Sequence, residues 1–231
     1  MNKFSAFLLS YLKYGDNDAI LHCYTKENGF QSFFLKGVYT SKNKKKAYLV
    51  PLNELLITTV DNTKSTELLL VKKIESIENS FSDYDVKISS LTFFVSDFLH
   101  QILKNEHQNL FLYSKIKEIV FQISKGNSYS HYFFFIDILK IFGISPLSQK
   151  GDFLNVTKGE FQETYESDTL DEEISIIWKF ILNEDYTDFK IKKESRKKLL
   201  DSIILYYKIH FPDFYTPKSL PVLVQIFEWF S

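Results

Sequence analysis

Residues 19–39 read AILHCYTKENGFQSFFLKGVY and contain two apolar runs on either side of Asn28-Gly29. An Asn-Gly pair is typical of a two-residue type I′ turn, in which both residues have positive φ. The runs at 19–25 and 30–39 are short, rich in aromatic and β-branched residues, and bounded by turn residues. They therefore predict an antiparallel β-hairpin.

Three further runs of the same kind surround this hairpin. Residues 4–14 precede it and end in a turn signal, Tyr14-Gly15-Asp16-Asn17-Asp18, while residues 49–60 and 67–77 follow it. Pro51 is expected near the start or at an edge of its strand, because proline cannot donate a backbone hydrogen bond. Five short strands with polar turns predict a small closed or nearly closed antiparallel barrel.

The period of the apolar residues changes to helical spacing near Ser80. Helices are predicted over 88–102, 113–123, 133–142, 174–182, 199–211 and 220–227, with Pro217 in the first turn of the last one. Residues 144–169 are expected to be a long irregular segment. The predicted fold class is therefore α+β, with a five-stranded barrel domain in 1–80 and an all-α domain in 81–231.

The composition excludes several classes of protein. The chain has 231 residues, of which 45% are hydrophobic and 25% charged, as in a globular protein. Its single cysteine, Cys23, excludes a disulfide framework and favours a reducing compartment. No stretch approaches the ~18 apolar residues of a membrane span, and the N-terminus lacks a signal-peptide pattern. We therefore expect a cytoplasmic protein with no membrane partner.

No catalytic motif is recognisable, so we expect no enzymatic activity. The sequence has neither a Gly-rich phosphate loop nor a nucleophile elbow, and its five histidines lack metal-binding spacing. The acidic run at 168–173 is better explained as a solvated linker and helix N-terminus than as a metal site. An enzyme acting on nucleic acid would show itself by metal-dependent nicking of DNA.

The first basic cluster is a lysine loop between two predicted strands, which consists of Lys42, Lys44, Lys45 and Lys46. No acidic residue lies between Lys36 and Glu54 to pair with it. The loop is either simply solvated or contacts phosphates, because lysines neutralise a nucleic-acid backbone without reading bases. Small barrels commonly bind single strands on one face, so Lys36 and the lysine loop are candidate DNA contacts.

Two adjacent aromatic residues in the same region cannot both belong to the barrel core. Because side chains alternate along a strand, Phe33 and Phe34 must point to opposite faces. We expect one of them to be exposed, either for base stacking or for packing on the helical domain.

A second basic cluster opens the fifth predicted helix and consists of Lys192, Lys193, Arg196, Lys197 and Lys198. Cations at a helix N-terminus oppose the helix dipole, so their placement there conflicts with local stability. A solvated helix face, a track for the DNA backbone and a dock for an acidic peptide all remain open. The five residues are the second set of candidate DNA contacts.

Several stretches together resemble the RecO family of bacterial recombination mediators. They are YLKYGDNDAILHCYT at 11–25, ENG at 27–29, FLKGV at 34–38, PL at 51–52, FLNVTKGEF at 153–161, HFPDF at 210–214 and KSLPVL at 218–223. The resemblance covers nearly the whole chain, and the order and spacing of the stretches are more specific than any one of them.

The resemblance implies an OB-fold joined to a helical domain, and a nucleoid-associated role in DNA repair. RecO-like proteins bind single- and double-stranded DNA, anneal complementary strands and work with RecR, in some lineages also RecF. They load RecA onto DNA coated by the single-stranded-DNA-binding protein, whose acidic C-terminal tail they bind. The candidate cations around a groove for that tail are Lys104, Lys115, Lys117 and Lys125.

The chain departs from many relatives in one respect. They carry a four-cysteine zinc module in the region that corresponds to 144–163, where this chain has no cysteine. We therefore expect no zinc or other cofactor, and packing through Phe153, Val156 and Phe161 instead. Two other interpretations remain open: an interaction adaptor of the same fold that has lost DNA binding, and a membrane-surface protein that uses the lysine loop.

Overall fold

The computed structural model describes residues 1–41, 44–60, 68–77, 85–147, 150–183 and 191–229, without the side chains of the last two. Lys42, the turn at 61–63 and the expected domain boundary near Ser80 lie outside the described residues. The chain divides by its contacts into two compact units, Met1–Ser128 with Pro217–Ser231, and Tyr129–Thr216. Each unit is described separately below.

Five strands close into a barrel in the first unit. They are β1 (Lys3–Tyr14), β2 (Asp18–Thr25), β3 (Gly29–Leu35), β4 (Glu54–Thr59) and β5 (Leu68–Ser76). The order around the barrel is β1-β2-β3-β5-β4, which confirms the predicted five-stranded barrel. One pair, β3 and β5, is parallel rather than antiparallel. Alternate side chains of all five strands fill the interior, with Phe33 and Cys23 among those fully buried.

The hairpin between β2 and β3 forms as predicted, but its turn is different. The register pairs Thr25 with Gly29, which leaves three residues in the loop instead of two. Gly29 has a φ of 78°, whereas Asn28 is not among the described residues with positive φ. The Thr25 hydroxyl closes the longer loop, because it accepts a hydrogen bond from the Asn28 N–H and donates one to the Gly29 carbonyl.

The connection between β3 and β4 also differs from the prediction. β3 ends at Leu35, before Gly37, which has a φ of 67°. β4 begins at Glu54 rather than near residue 49, because Leu52 adopts a left-handed φ of 60° that turns the chain. Pro51 therefore lies in a turn that precedes the strand.

Six helices and a small hairpin make up the regular structure that follows β5 in the described chain. They are α1 (Val86–Leu103), α2 (Leu110–Ser124), α3 (Ser130–Ile141), β6 (Phe153–Asn155), β7 (Glu160–Gln162), α4 (Glu172–Leu182), α5 (Lys193–His210) and α6 (Leu220–Trp229). The helical half of the predicted fold class is thereby confirmed.

Three of the helices belong to the barrel's unit. The side chains of Asp85 and Asn109 accept N–H groups at the first turns of α1 and α2, as N-caps do. α6 packs against α1, and the Asp97 carboxylate accepts hydrogen bonds from both the N–H and the hydroxyl of Ser219. α6 starts at Leu220, so Pro217 precedes the helix instead of occupying its first turn.

The second unit packs α3, α4 and α5 with the β6–β7 hairpin. The expectation of a wholly irregular segment at 144–169 was wrong, because β6 and β7 pair antiparallel within it. Val156 and Phe161 are buried as expected, whereas Phe153 is half-buried against Tyr165. Leu154 is fully buried and is the anchor that the sequence did not reveal.

Candidate nucleic-acid interface

The second half of the lysine loop is an ordered 3₁₀ helix, Lys44–Tyr48. Tyr48 packs against the barrel core, and its carbonyl accepts a hydrogen bond from the Asn53 side chain at 3.2 Å. Lys44 and Lys46 are exposed, and Lys45 is half-buried. The barrel therefore holds these ammonium groups on its surface through a fixed backbone rather than through a flexible loop.

Lys36 is exposed directly after β3. Within the part of the chain that the structure describes, Lys36, Lys44 and Lys46 form no ion pair or hydrogen bond through their ammonium groups. These three side chains are therefore available for an anionic partner. Lys42, the remaining member of this set, is not among the described residues.

The basic cluster of α5 lies in the second unit and divides into two groups. Arg196 donates to the Ile191 carbonyl and to the Tyr129 hydroxyl, and its guanidinium lies 4.6 Å from the centre of the Tyr129 ring. Lys198 pairs with Asp171 at 3.2 Å. Both side chains thus hold elements of their own unit together.

The other three members of the α5 cluster are Lys192, Lys193 and Lys197, which are all exposed. No partner for their ammonium groups occurs among residues 1–41, 44–60, 68–77, 85–147, 150–183 and 191–229. Lys192 is the N-cap residue of α5, which has no side-chain hydrogen bond to cap it. Three cations are therefore concentrated at one end of this helix.

The four candidate cations for peptide binding have unequal surroundings. Lys117 pairs with the Glu54 carboxylate at 3.0 Å, and Glu54, which is 8% exposed in its side chain, also accepts the Tyr113 hydroxyl at 2.9 Å. This network links α2 to β4. Lys104 is exposed at the C-cap of α1.

Lys115 and Lys125 flank exposed aromatic rings on α2. Lys115 lies 5.8 Å from the centre of the Phe111 ring, and Lys125 lies 5.4 Å from that of Phe121. The two rings are 60% and 56% exposed. Lys115 also pairs with Glu118 at 3.4 Å. The helix therefore presents cations and aromatic rings together, a combination suited to an acidic peptide with apolar side chains.

A pair of histidines lies where α1 meets the barrel. The His22 and His100 rings are 5.3 Å apart, and His22 stacks on Phe30. Burial lowers the pKa of both imidazoles, and the positive charge of Lys104 lowers each further. His22 Nδ1 also lies 2.9 Å from the Ser32 hydroxyl, so this ring is held by both packing and a hydrogen bond.

No group of three or more His, Cys, Asp or Glu side chains that could hold a metal ion occurs among the described residues. Cys23 is fully buried in the barrel, and burial raises the pKa of its thiol. A protonated, inaccessible thiol behaves as a small apolar side chain. None of the helices in the described part of the chain has the length and apolarity to cross a bilayer.

The structure separates the two adjacent aromatic residues of β3. Phe33 is fully buried, whereas Phe34 is half-buried on the outside of the barrel, where its ring meets the Tyr14 ring edge-on at 5.5 Å. The expectation that only one of them belongs to the core is confirmed. The contact between the Tyr14 and Phe34 rings was not predicted, although Tyr14 was visible in the sequence directly before the charged turn.

Comparison with known proteins gives a consistent result along the chain. The family described as "Recombination protein O N terminal" matches residues 1–80. A "DNA repair protein RecO" of Flavobacterium psychrophilum is 27% identical over 98% of this chain and 99% of its own length. The proteins of the same name from Flavobacterium johnsoniae and Bacteroides fragilis are 28% and 26% identical, over 98% and 99% of this chain.

The chain is therefore similar to RecO proteins along nearly its whole length. The barrel β1–β5 lies within the residues that match the N-terminal OB-fold domain of RecO proteins, and the helices follow it as the resemblance implied. RecO relatives are DNA repair proteins by name, and each covers this chain almost from end to end. The basic residues above therefore lie in a chain that is similar over nearly its whole length to proteins named for DNA repair.

Proposed function

We propose that this protein is a DNA-binding recombination mediator with no catalytic residue of its own, which works in the cytoplasm at the nucleoid. The observation that carries the proposal is an OB-fold barrel with exposed lysines, Lys36, Lys44 and Lys46, in a RecO chain. Annealing of complementary strands needs neutralised phosphates and bases that are free to pair. Lysines contact phosphates without occupying base edges, so this surface suits that task.

Two cationic tracks would hold the two backbones. Lys36, Lys42, Lys44, Lys45 and Lys46 form the first, and Lys192, Lys193 and Lys197 dominate the second. Arg196 and Lys198, which were also candidates, already contact Tyr129 and Asp171 and are expected to contribute less. Five phosphate contacts would give a slope of about −3.5 to −4.5 in a plot of log affinity against log salt. The net charge of −1 favours a modest affinity.

The partners that we propose are those that the similarity to RecO proteins implies. RecR, in some lineages together with RecF, would act with this protein to load RecA onto DNA that is coated by the single-stranded-DNA-binding protein. For the acidic tail of that coating protein, the surface of α2 is the best candidate, because Lys115 and Lys125 flank exposed phenylalanine rings. Lys104 could extend it, whereas Lys117 is already paired with Glu54.

Strand annealing tests the proposal. Two complementary labelled oligonucleotides are mixed, with and without the coating protein, and duplex formation is followed by fluorescence. The test variant changes Lys42, Lys44, Lys45 and Lys46 to Ala. A charge-matched control changes Lys140, Lys158, Lys208 and Lys218 to Ala.

We expect the wild type and the control to accelerate annealing, and the test variant to lose most of the acceleration. If the wild type neither anneals nor binds DNA even at low salt, the DNA-binding mechanism is wrong for this chain. Equal loss in both variants would show a general charge effect rather than a site on the barrel.

An interaction adaptor of the same fold, without DNA binding of its own, is the second candidate. The near-neutral charge of the chain and the aromatic surface of α2 favour it. A complex with the coated DNA whose affinity does not change with salt would identify this function, because phosphate contacts always bring salt dependence.

We also propose that the segment at 144–169 folds without zinc. Leu154 and Phe161 are buried, and the Leu154 N–H donates to the Ser175 hydroxyl at 3.0 Å. The Lys179 ammonium donates to the Gly151 carbonyl and lies over the Phe161 ring. These contacts tie the hairpin to α4 through side chains. Elemental analysis of the purified protein should find no stoichiometric zinc, and a chelator should leave its melting temperature unchanged.

A further inference from the structure

The outside of the barrel carries an apolar row across four strands. The register pairs Leu12 of β1 with Ile20 of β2, Ile20 with Phe34 of β3, and Phe34 with Leu70 of β5. The adjacent Phe33 points into the core, so alternation directs this row outward. The solvent face of an antiparallel sheet is ordinarily polar, which makes four aligned apolar residues unusual.

The row is accessible at the β1 end. Leu12 is 58% exposed, and Tyr14, which shares its face, is 56% exposed. The Tyr14 and Phe34 rings meet at an interplanar angle of 84°. α1 contacts the neighbouring part of the same face, where His100 meets His22, whereas Ile20, Phe34 and Leu70 are half-buried. Exposed apolar patches of this kind mark interaction surfaces.

Two lysines lie along one side of the row. Lys36 comes two residues after Phe34, and Lys72 comes two residues after Leu70 on the outward side of β5. Because β3 and β5 run parallel, both lysines lie on the same side of the row. Both are exposed, and the Lys72 ammonium is 3.5 Å from the Met1 sulfur. The Asp18 carboxylate, which belongs to the adjacent strand β2, accepts the Gly37 N–H at 2.8 Å.

We propose that Tyr14 and Phe34 stack against bases of a single DNA strand whose phosphates contact Lys36 and Lys72. This inference rests on the proposed DNA binding and names its base-contacting residues. Aromatic rings stack on any base, and adjacent cations hold the backbone that connects the bases. A duplex hides its base faces, so the site is specific for single strands. The adjoining lysines favour a polyanion over an apolar protein segment.

The test compares binding of a 20-nucleotide dT strand with that of an abasic strand of equal length, by fluorescence anisotropy. The two probes carry the same phosphates, so only the bases distinguish them. The variant combines Tyr14→Ala with Phe34→Leu, which keeps apolar bulk at the half-buried position. The control is Tyr11→Ala, because Tyr11 is exposed on the opposite side of β1. Circular dichroism verifies that each variant is folded.

We expect the wild type and the control to bind the dT strand about five- to a hundred-fold more tightly than the abasic strand. The double variant should bind both strands with the affinity that the wild type has for the abasic one. If Phe34→Leu impairs folding, Tyr14→Ala alone should still reduce the preference at least several-fold, because Tyr14 is exposed.

Two results separate this inference from the proposed function. If the wild type binds neither probe, DNA binding itself is refuted. If it binds DNA but shows no preference for dT, or the variant keeps that preference, the stacking site is refuted and the lysine tracks stand. A variant that keeps the preference but no longer binds RecR would assign the row to a protein partner instead.

Discussion

The close approach of the β2–β3 hairpin to the segment between α1 and α2 can be tested by one methyl group. A Cβ added at Gly29 would lie well inside van der Waals contact with the Glu106 carbonyl oxygen and the backbone of His107. Two hydrogen bonds depend on this approach: the Phe30 N–H donates to the Glu106 carbonyl at 2.9 Å, and the Tyr24 hydroxyl to the His107 carbonyl at 3.0 Å. Gly29→Ala must therefore separate the hairpin from the segment.

Gly15 provides the matched control, because it also has positive φ (58°) in a barrel hairpin but would have nothing within 4 Å of a Cβ. Left-handed backbone costs an alanine about 1–2 kcal/mol, and the less flexible unfolded chain returns about 0.4–1 kcal/mol. Gly15→Ala should thus lower the free energy of unfolding by about 1 kcal/mol. Gly29→Ala loses the two hydrogen bonds as well, at about 0.5–1.5 kcal/mol each, for a total of about 2–4 kcal/mol.

Equilibrium unfolding in urea, followed by far-ultraviolet circular dichroism, measures both variants against the wild type. The informative quantity is the difference between the two alanine variants, since the backbone cost is common to them. If Gly29→Ala and Gly15→Ala agree within about 0.5 kcal/mol, the hairpin does not approach the segment closely and the reasoning is wrong.

Three further predictions concern the barrel's unit. Glu54→Ala should lower the free energy of unfolding by about 2–3 kcal/mol, because it leaves the Tyr113 hydroxyl without its acceptor. Lys117→Ala should lower it by less than about 1 kcal/mol, because Lys117 lies at the exposed end of the network. Burial lowers the pKa of His22 and His100 in the folded state, so urea midpoints should fall as pH drops below about 6.5, and Asn at both positions should flatten the change. Burial and the Glu54 charge raise the pKa of Tyr113 in the folded state. The unfolded chain therefore loses its tyrosine proton first as the pH rises, and the free energy of unfolding should decrease above about pH 10. A urea midpoint that stays constant to pH 11.5 would contradict this.

Much of the fold could be predicted because its signals are local and repeated. Strands of six to twelve residues alternate between core and solvent long enough for the period to show, and helices of ten or more residues do the same at their own period. β6 and β7 have only three residues each, which is too short for any period. Their hairpin depends instead on contacts with α4, which no periodic pattern within the short strands can indicate.

The turn at Asn28-Gly29 shows why local signals can mislead. The pair favours a two-residue turn, but Thr25 and Gly29 close a three-residue loop whose glycine faces another segment of backbone. Glycine is required at this position because the two backbone segments come close together there, and no neighbouring residue in the sequence indicates that contact. Long-range packing decided the geometry here.

The candidate site was predictable in residue type but not in environment. The candidate cations were visible in the sequence as charge. Their surroundings were not, because nothing local distinguishes Lys117, which pairs with Glu54, from Lys115, which lies over Phe111. Arg196 is likewise occupied by Tyr129, a residue 67 positions away. Whether a cation is free for a ligand depends on partners distant in sequence, and only the folded chain supplies them.

The packing of α6, the last helix, against α1 has a consequence for synthesis on the ribosome. The 88 residues of Tyr129–Thr216 separate α6 from the other elements of its own unit. At about 5–20 residues per second, their translation delays α6 by about 4–18 s after Ser128 is made. During that interval the face of α1 that α6 covers is open to chaperones, and the Asp97 carboxylate still lacks Ser219. The newly made barrel and α1 therefore exist without α6 for seconds, which is long compared with the time in which β-hairpins form.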